Sequence, residues 1–290
     1  MGDAFSNEMK KDVIKYIKEE FGGKIDLLVY SLASAVRTDP NTGEMYRSAL
    51  KSTAKEITGP TINLEKETMD MGTMGIATEE EISSTVKVMG GEDWKLWIEF
   101  LDNAGVLTEN FKTVAYSYLG PKVTYGIYKE GTIGAAKRDL EGTSDYLNDY
   151  LKTKYNGEAY VSLSKALMTK ASAVIPIFPL YATLLYKVMK AKGLHEGTIE
   201  QKQRLFKDMM YGGKPELDSN RRLRPDNWEM REDVQSEVEA IWDTITPENF
   251  KEIGDYEGVR EEFMQLNGFD FDNIDYSANI SLEELAKLQP

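Results

Sequence analysis

Thiol and imidazole groups are almost absent from this sequence: its 290 residues include no cysteine and a single histidine, His195. Without thiols the chain forms no disulfide bonds and offers neither a cysteine nucleophile nor a cysteine-ligated metal site. One histidine also makes a Ser-His-Asp triad or a multi-histidine metal site nearly untenable. We therefore predict no metal, and an enzyme of this composition would depend on Tyr, Lys, Asp or Glu side chains or on a cofactor.

Positive charge and long apolar runs are also scarce. The formal net charge of −14 argues against nucleic acid or an anionic membrane as the main partner. The polar N-terminus carries no secretory signal. The one strongly apolar run, Ala171–Tyr186, is shorter than a membrane span and contains Pro176 and Pro179, so we predict a buried, kinked segment. These features predict a cytoplasmic protein with no nucleic-acid or membrane partner.

Gly-rich phosphate-binding loops are missing as well. The sequence contains neither GxGxxG nor GxxxxGK followed by Ser or Thr, and it also lacks HExxH and EF-hand patterns. An enzyme that binds a dinucleotide holds the pyrophosphate with backbone amides at a helix N-terminus. Nothing between Met1 and Lys24 predicts such a loop.

The N-terminal residues follow the pattern of an α/β fold. Residues Asn7–Phe21 have apolar side chains at helical spacing, Gly22 and Gly23 end that helix, and Ile25–Ser31 is typical of a short buried strand. A helix, a glycine turn, an apolar strand and a small-residue loop predict a doubly wound parallel sheet, in which ligands lie beyond the carboxyl ends of strands. The Ser31–Ser34 loop is therefore either at the ligand edge or an ordinary connection.

The rest of the chain continues this alternation and divides into two regions. We predict a catalytic Rossmann-type core at 1–210, in which 37–75 is an irregular or short-hairpin insertion covering the edge of the site. A Gly-, Pro- and Arg-containing stretch at 211–226 predicts a boundary, after which 211–290 form a C-terminal module. The other predicted elements are helices after Thr78, over Glu92–Ala104 with its tryptophans in the core, and after Thr132, and strands over Phe111–Tyr118 and Ala159–Leu163.

The segment Lys112–Leu140 holds the groups best suited to chemistry on a carbonyl. Tyr128 and Lys137 stand nine positions apart, and Tyr118 precedes them. A tyrosine hydroxyl can stabilise a developing enolate oxygen, while a neighbouring ammonium lowers the phenol pKa and can hold ribose hydroxyls. About one Tyr-x8-Lys pair is expected by chance in this chain, so the spacing alone leaves open that these tyrosines only pack a surface.

Helix geometry limits how this pair can converge. Nine residues at about 100° each place the two side chains on opposite faces of one helix. Tyr128 must therefore lie in the approach to a helix that contains Lys137, with a bend at Gly131 and Thr132.

Seven collinear segments, spread over the whole chain, match a known family. They are GDAFS at 2–6, KIDLLVYSLAS at 24–34, RTDPNTG at 37–43, VKVMGGEDW at 86–94, AYSYLGPKVTYGIYKEGTIGAAKRDLE at 115–141, KALMTKASAVIPIFPLY at 165–181 and NGFDFDNIDYS at 267–277. In these segments the chain resembles the NADH-dependent trans-2-enoyl-CoA and enoyl-ACP reductases. The resemblance implies an oxidoreductase that uses NADH to reduce an enoyl-CoA or enoyl-ACP thioester, in fatty acid synthesis or butyrate-type fermentation.

The resemblance also implies a fold and roles for individual residues. The fold is a Rossmann-type parallel sheet, an enlarged relative of the short-chain dehydrogenases with helical additions, and the protein is a monomer. Tyr128 matches the proton donor, Lys137 the lysine that binds the cofactor, and Tyr118 a tyrosine that contacts the substrate carbonyl. The matches to cofactor-binding positions are Asp3 and Ala4 near the adenine, Leu32 and Ala33 after a strand, and Leu167, Met168 and Thr169 near the nicotinamide amide and phosphates.

The chain departs from this family at its start. Family members begin with a βαβ unit that carries a Gly-rich loop, so we expect this first unit to be missing here and NADH binding to be weak or absent if nothing supplies it. A second hypothesis is a truncated or degenerate member without catalytic activity, acting as a binding or structural α/β module. The family's C-terminal module is sometimes described as flavin-binding, but 211–290 contain no phosphate-binding loop, so we do not extend the resemblance to a flavin.

Overall fold

The computed structural model describes residues 2–32, 34–63, 66–213 and 215–288. The α-helices of these residues are α1 (Asn7–Glu20), α2 (Glu79–Met89), α3 (Glu92–Asn103), α4 (Tyr125–Tyr128), α5 (Thr132–Tyr155), α6 (Lys170–Ala173), α7 (Phe178–Ala191), α8 (Thr198–Arg204), α9 (Glu232–Trp242), α10 (Phe250–Ile253), α11 (Tyr256–Leu266) and α12 (Leu282–Leu285). The strands are β1 (Ile25–Tyr30), β2 (Val36–Thr38), β3 (Met45–Arg47), β4 (Ile57–Asn63), β5 (Thr68–Met74), β6 (Leu107–Ser117), β7 (Glu158–Leu163) and β8 (Arg222–Leu223). Short 3-10 turns lie at Lys122–Thr124 and Pro225–Asn227, and a π-helical turn at Leu205–Met210 continues α8.

A parallel sheet lies at the centre of the described residues, with strand order β1-β6-β7-β8. Val29 of β1 lies opposite Val114 of β6, which in turn lies opposite Tyr160 of β7. β8 extends the sheet by pairing with β7. Because these strands are parallel, their carboxyl ends meet at one edge, where ligands bind in open α/β sheets. The sheet and its helices confirm the predicted α/β fold.

Helices cover both faces of this sheet. On one face α1, α3 and α5 pack around Trp94, which is fully buried and donates a hydrogen bond from Nε1 to Thr113 Oγ1 at 2.9 Å. On the other face Leu205 and Met210 of the π-helical turn pack against Val114. The tryptophan of α3 therefore belongs to the core, as the sequence predicts.

A third layer of helices lies beyond the carboxyl edge of the sheet. Its centre is α7, a largely buried helix against which α9 and α11 pack. The helix begins after Ile177, whose φ of +69° breaks the chain direction, and Pro179 occupies its first turn. The predicted apolar, kinked segment is therefore two helices, α6 and α7, separated by this break.

Details of three predictions change in the structure. Two hairpins, β2–β3 and β4–β5, form among the described residues of the region that contains the predicted insertion 37–75. β1 is half-exposed because β6 is its one partner among the described strands. The linker-like stretch at 211–226 contains β8 and so contributes to the sheet. The division into 1–210 and 211–290 stays a prediction.

None of the helices within the described ranges is long and apolar enough to cross a membrane.

Candidate active site

A cleft of about 520 Å³ opens at the carboxyl edge of the sheet. The residues that follow three strands meet there: Ser31 after β1, Tyr118 after β6 and Lys165 after β7. Tyr128 and Lys137 line the same cleft. The structure thus brings the three residues predicted to do chemistry to the edge at which an α/β sheet binds ligands.

Two tyrosines form the centre of this cleft. The rings of Tyr118 and Tyr128 meet edge to face, with centroids 4.7 Å apart and an interplanar angle of 84°. Phe178, at the start of α7, packs edge to face against both rings. Such aromatic contacts favour a fixed geometry, so each hydroxyl has a defined position.

The Tyr128 hydroxyl is available to a ligand. Within the described residues it has no hydrogen-bond partner, although the side chain is 5% exposed and lines the cleft. Burial raises the pKa of Tyr128 well above its usual range, and the negative charge of Glu229 raises it further. The sequence had predicted the opposite, namely that a neighbouring ammonium lowers the pKa of this phenol. The group is therefore a neutral hydroxyl that can donate one hydrogen bond.

Tyr128 and Lys137 converge through a bend between two helices. Tyr128 ends the one-turn helix α4, rather than lying in a loop, and Lys137 lies in the second turn of α5. Gly131 occupies the bend, where an added Cβ would lie 2.4 Å from the Ile127 carbonyl oxygen. Only glycine fits so close a backbone approach.

The Lys137 side chain is half-buried beside the tyrosine. Its Nζ donates to Ser117 Oγ at 3.1 Å and lies 5.7 Å from the centre of the Tyr128 ring. Burial lowers the pKa of Lys137 to about 7, an effect that the Glu141 carboxylate opposes. Lys137 therefore changes its charge near neutral pH, which is unusual for a lysine.

Two further lysines line the cleft. Lys165 Nζ donates to the Ala166 carbonyl oxygen at 3.2 Å, and Lys202 Nζ of α8 donates to Ser164 Oγ at 2.9 Å. Burial lowers the pKa of each to about 8. The lysines therefore make the cleft suited to an anionic ligand, and a dinucleotide fits this set of ammonium and hydroxyl groups.

The segment after β7 divides between the cleft and the core. Leu167 and Thr169 line the cleft, and Thr169 caps α6 through reciprocal hydrogen bonds with Ser172. Met168 is buried in the apolar core under α7, and its N–H donates to Tyr186 Oη at 3.1 Å. The structure thus exposes two of these three predicted cofactor residues to the cleft.

The remaining predicted cofactor residues lie elsewhere. Asp3 and Ala4 precede α1, where the Asp3 carboxylate accepts from the Phe5 N–H at 3.0 Å. Leu32 is exposed just after β1, and neither it nor the residues before α1 line the cleft. Ala33 lies outside the described residues. Their assignment to the cofactor stays a prediction.

Sequence reasoning missed Glu229, Lys165 and Lys202. Lys165 could have been found, since it lies two residues after the predicted strand Ala159–Leu163, at the ligand edge. Glu229 lies between the last 3-10 turn and α9, in the predicted C-terminal module, and accepts from Tyr118 Oη at 2.9 Å across 111 positions of sequence. No local spacing points to such a contact.

Taken together, fold and cleft define an α/β protein of the nucleotide-binding class, with tyrosine donors and lysines at the carboxyl edge of a parallel sheet. Comparison with family profiles is more specific. The catalytic-region profile of trans-2-enoyl-CoA reductases matches residues 1–211, and an enoyl reductase FAD-binding profile matches residues 217–280. The chain belongs to the trans-2-enoyl-CoA reductase family.

Named relatives cover nearly all of the chain. It is 54% identical to the trans-2-enoyl-CoA reductase [NADH] of Clostridium beijerinckii, over all of this chain and 73% of that protein. It is 53% identical to enoyl-[acyl-carrier-protein] reductase [NADH] 2 of Photobacterium profundum, over 99% of this chain and 72% of that protein. A crystal structure of the Clostridium acetobutylicum trans-2-enoyl-CoA reductase with NADH superposes with a TM-score of 0.97 at 52% identity, covering 100% and 73% of the two chains.

The second profile is named for FAD. A cavity of about 670 Å³ beside α11 is lined by Glu262, within the matched span, and by Glu196 and Glu200, which precede it. Glu196 is paired with Arg204, and Glu262 with His195.

Proposed function

We propose that this protein uses NADH to reduce the trans-2 double bond of an enoyl-CoA or enoyl-ACP thioester. The observation that carries the proposal is the pair of tyrosines, with ring centroids 4.7 Å apart, in a lysine-lined cleft at the carboxyl edge of the sheet. Family membership supports the same reaction, and it favours this hypothesis over a degenerate, non-catalytic module.

The two tyrosines bind the thioester carbonyl oxygen. When bound, NADH supplies the hydride that adds to the β-carbon. Negative charge then develops on the thioester oxygen, and the Tyr128 hydroxyl, which has no partner among the described residues, donates a hydrogen bond to it. A proton that originates from water then adds to the α-carbon, which converts the enolate into the saturated thioester. A donor fixed in place before the reaction lowers the barrier because it needs no reorganisation as the charge forms.

Lysines hold the anionic and hydroxyl groups of the ligands. Lys137, which reaches Ser117 at 3.1 Å and the face of Tyr128, is placed to hold the nicotinamide ribose. Lys165 and Lys202 line the same cleft and supply positive charge for phosphate groups. The three lysines lie on α5, after β7 and on α8, so they can contact a ligand from several sides of the cleft.

Apolar side chains form the wall for the acyl chain. Leu167, Ala171, Ile175 and Phe178 line the cleft on the side of α6 and α7. Ala171, Ile175 and Phe178 belong to the apolar run that the sequence predicted as a buried segment. An apolar wall also excludes water from the developing enolate.

Some finer features stay predictions. We propose a monomeric, cytoplasmic enzyme and roles for Asp3, Ala4 and Leu32 in holding the cofactor.

Replacing Tyr128 by Phe tests the proposal. We expect Tyr128→Phe to lower kcat by about 100- to 1000-fold with little change in KM, because one donor to the charged oxygen is lost. The measurement is NADH consumption with a trans-2-enoyl-CoA. Tyr125→Phe is the matched control. Tyr125 lies on the same short helix and does not line the cleft, and the centre of its ring lies 4.7 Å from Lys129 Nζ. Equal losses in both variants, or none in Tyr128→Phe, would refute the role.

A further inference from the structure

A buried carboxyl group lies under the cleft, and all its hydrogen-bond donors are neutral. Glu229 has no solvent exposure. Its Oε1 accepts from Tyr118 Oη at 2.9 Å and from Tyr181 Oη at 2.8 Å. Its Oε2 accepts from the backbone N–H of Ala166 at 2.6 Å. The carboxyl is thus tied to a tyrosine of the cleft, to α7 and to the segment after β7.

The number of protons in this network limits what Tyr118 can do. A tyrosine hydroxyl carries one hydrogen. While Glu229 is ionised, Tyr118 directs that hydrogen to Oε1, so it has none to offer a substrate oxygen. The Tyr118 hydroxyl is then only an acceptor towards the cleft.

Protonation of Glu229 reverses the Tyr118 hydrogen bond. Oε2 already accepts from a backbone N–H, so the added proton belongs on Oε1. Of the two tyrosines at Oε1, Tyr181 already accepts from Gln235 Nε2 at 3.1 Å. Tyr118 is therefore the acceptor that remains for the carboxylic acid, and its own hydrogen turns to the cleft.

We propose that Glu229 is a positioning residue that sets the direction of the Tyr118 hydroxyl, so that Tyr118 donates to the thioester oxygen only while Glu229 carries a proton. Glu229 acts through Tyr118 and touches no reacting atom. The inference rests on the proposed reductase function, because its consequence is felt at the thioester oxygen. Glu229 lies in the span that the FAD-binding profile matches, and the proposal assigns it a role at the reductase cleft.

The surroundings of Glu229 allow this proton to be gained near neutral pH. Burial raises the pKa of Glu229 to about 7, and hydrogen bonds to the ionised form oppose that rise. The titratable groups that interact with it are Tyr118 after β6, Tyr128 of α4, Lys165 after β7, and Tyr181 and Tyr186 of α7. The positive charge of Lys165 favours the ionised form but does not outweigh burial.

An infrared titration of the carboxyl tests the coupling without requiring turnover. Subtracting the spectrum of Glu229→Gln isolates the carboxylic-acid carbonyl band of Glu229. This band should disappear as the pH rises, with a midpoint near pH 7. In Tyr118→Phe both forms of the carboxyl lose a hydrogen bond, but the ionised form loses the stronger one, so the midpoint should move to higher pH. Equal midpoints in wild type and Tyr118→Phe would overturn the proposal, as would a band that never appears or never disappears. Circular dichroism shows whether each variant folds.

The pH dependence of kcat/KM tests the consequence for the reaction. Lys137, Lys165 and Lys202 titrate in the same range in both proteins, so kcat/KM should fall above pH 8 in wild type and in Glu229→Gln alike. The wild type should fall more steeply by one further proton, about 10-fold more per pH unit, because Glu229→Gln can donate permanently to Tyr118. Glu262→Gln, which alters a carboxyl paired with His195 outside the cleft, should keep the steeper limb.

The two experiments separate the inference from the proposed function. The same slope in Glu229→Gln and wild type would overturn the inference even if the enzyme is active. A wild-type protein without turnover would contradict the reductase function, while the infrared midpoints would still decide whether Glu229 and Tyr118 are coupled.

Discussion

Two buried carboxylates, Asp93 and Glu229, are held in different ways. Asp93 of α3 accepts from the ammonium of Lys10 at 2.8 Å and from Tyr30 Oη at 3.2 Å, and both charged groups are buried. Glu229 accepts from two tyrosine hydroxyls and one backbone amide. Burial raises the pKa of both carboxyls, but only for Asp93 does a directly bonded ammonium oppose the rise.

The difference separates a structural contact from a functional one. The ion pair of Asp93 joins α1 to α3 on a covered face of the sheet, away from the cleft. The hydroxyl donors of Glu229 instead leave the carboxyl free to accept a proton, and one of those donors lines the cleft. Perturbed groups at a cleft are typical of functional sites.

Breaking the ion pair should have the largest effect. Lys10→Met leaves Asp93 buried without its directly bonded counter-charge, and we expect it to lower the free energy of unfolding by about 3–5 kcal/mol. Urea denaturation at neutral pH measures this loss.

The double variant Lys10→Met/Asp93→Asn is the matched control. It removes both charges, so it should recover most of the lost stability. A loss in the double variant as large as in Lys10→Met would show that packing, not an unpaired charge, is responsible.

Removing the charge of Glu229 should have a smaller, pH-dependent effect. Its folded pKa, about 7, is raised above the ordinary value of 4.5, so between these pH values the folded state binds more protons than the unfolded state. The stability of the wild type therefore falls as pH rises through this window, by about 3 kcal/mol in total. Glu229→Gln cannot gain or lose this proton, so its stability lacks this pH-dependent contribution.

Urea denaturation of both proteins at about pH 4.5 and pH 8 measures the difference. Relative to wild type, Glu229→Gln should become more stable as pH rises. A constant difference between the two proteins would mean that Glu229 has the same protonation in the folded and unfolded states.

The framework of the fold could be predicted from local patterns. Thr78 and Glu81 form the predicted capping box at the start of α2, and the tryptophans of α3 lie in the core. On α1 the prediction of the buried face failed in part: Phe21 is 59% exposed, while Lys10 is fully buried. The apolar pattern alone could not reveal that a lysine would be buried by a carboxylate 83 positions away.

The candidate site could be predicted only where its residues are close in sequence. Tyr118, Tyr128 and Lys137 lie within one segment, and the rule on carboxyl ends of strands places that segment at the cleft. Glu229 and Tyr181 reach the site through the third helical layer, whose packing against the sheet depends on the tertiary fold. The predicted direction of the Tyr128 pKa was wrong because burial and the negative charge of Glu229, which the local sequence does not reveal, both raise this pKa.

Product analysis with NADH deuterated at the transferable C4 position tests the central claim most directly. The protein is mixed with this NADH and a trans-2-enoyl-CoA in ordinary water, and the thioester is examined by mass spectrometry and NMR. The account predicts a saturated thioester with one deuterium on the β-carbon and a hydrogen from water on the α-carbon. An unreduced thioester, or deuterium on the α-carbon, would contradict it.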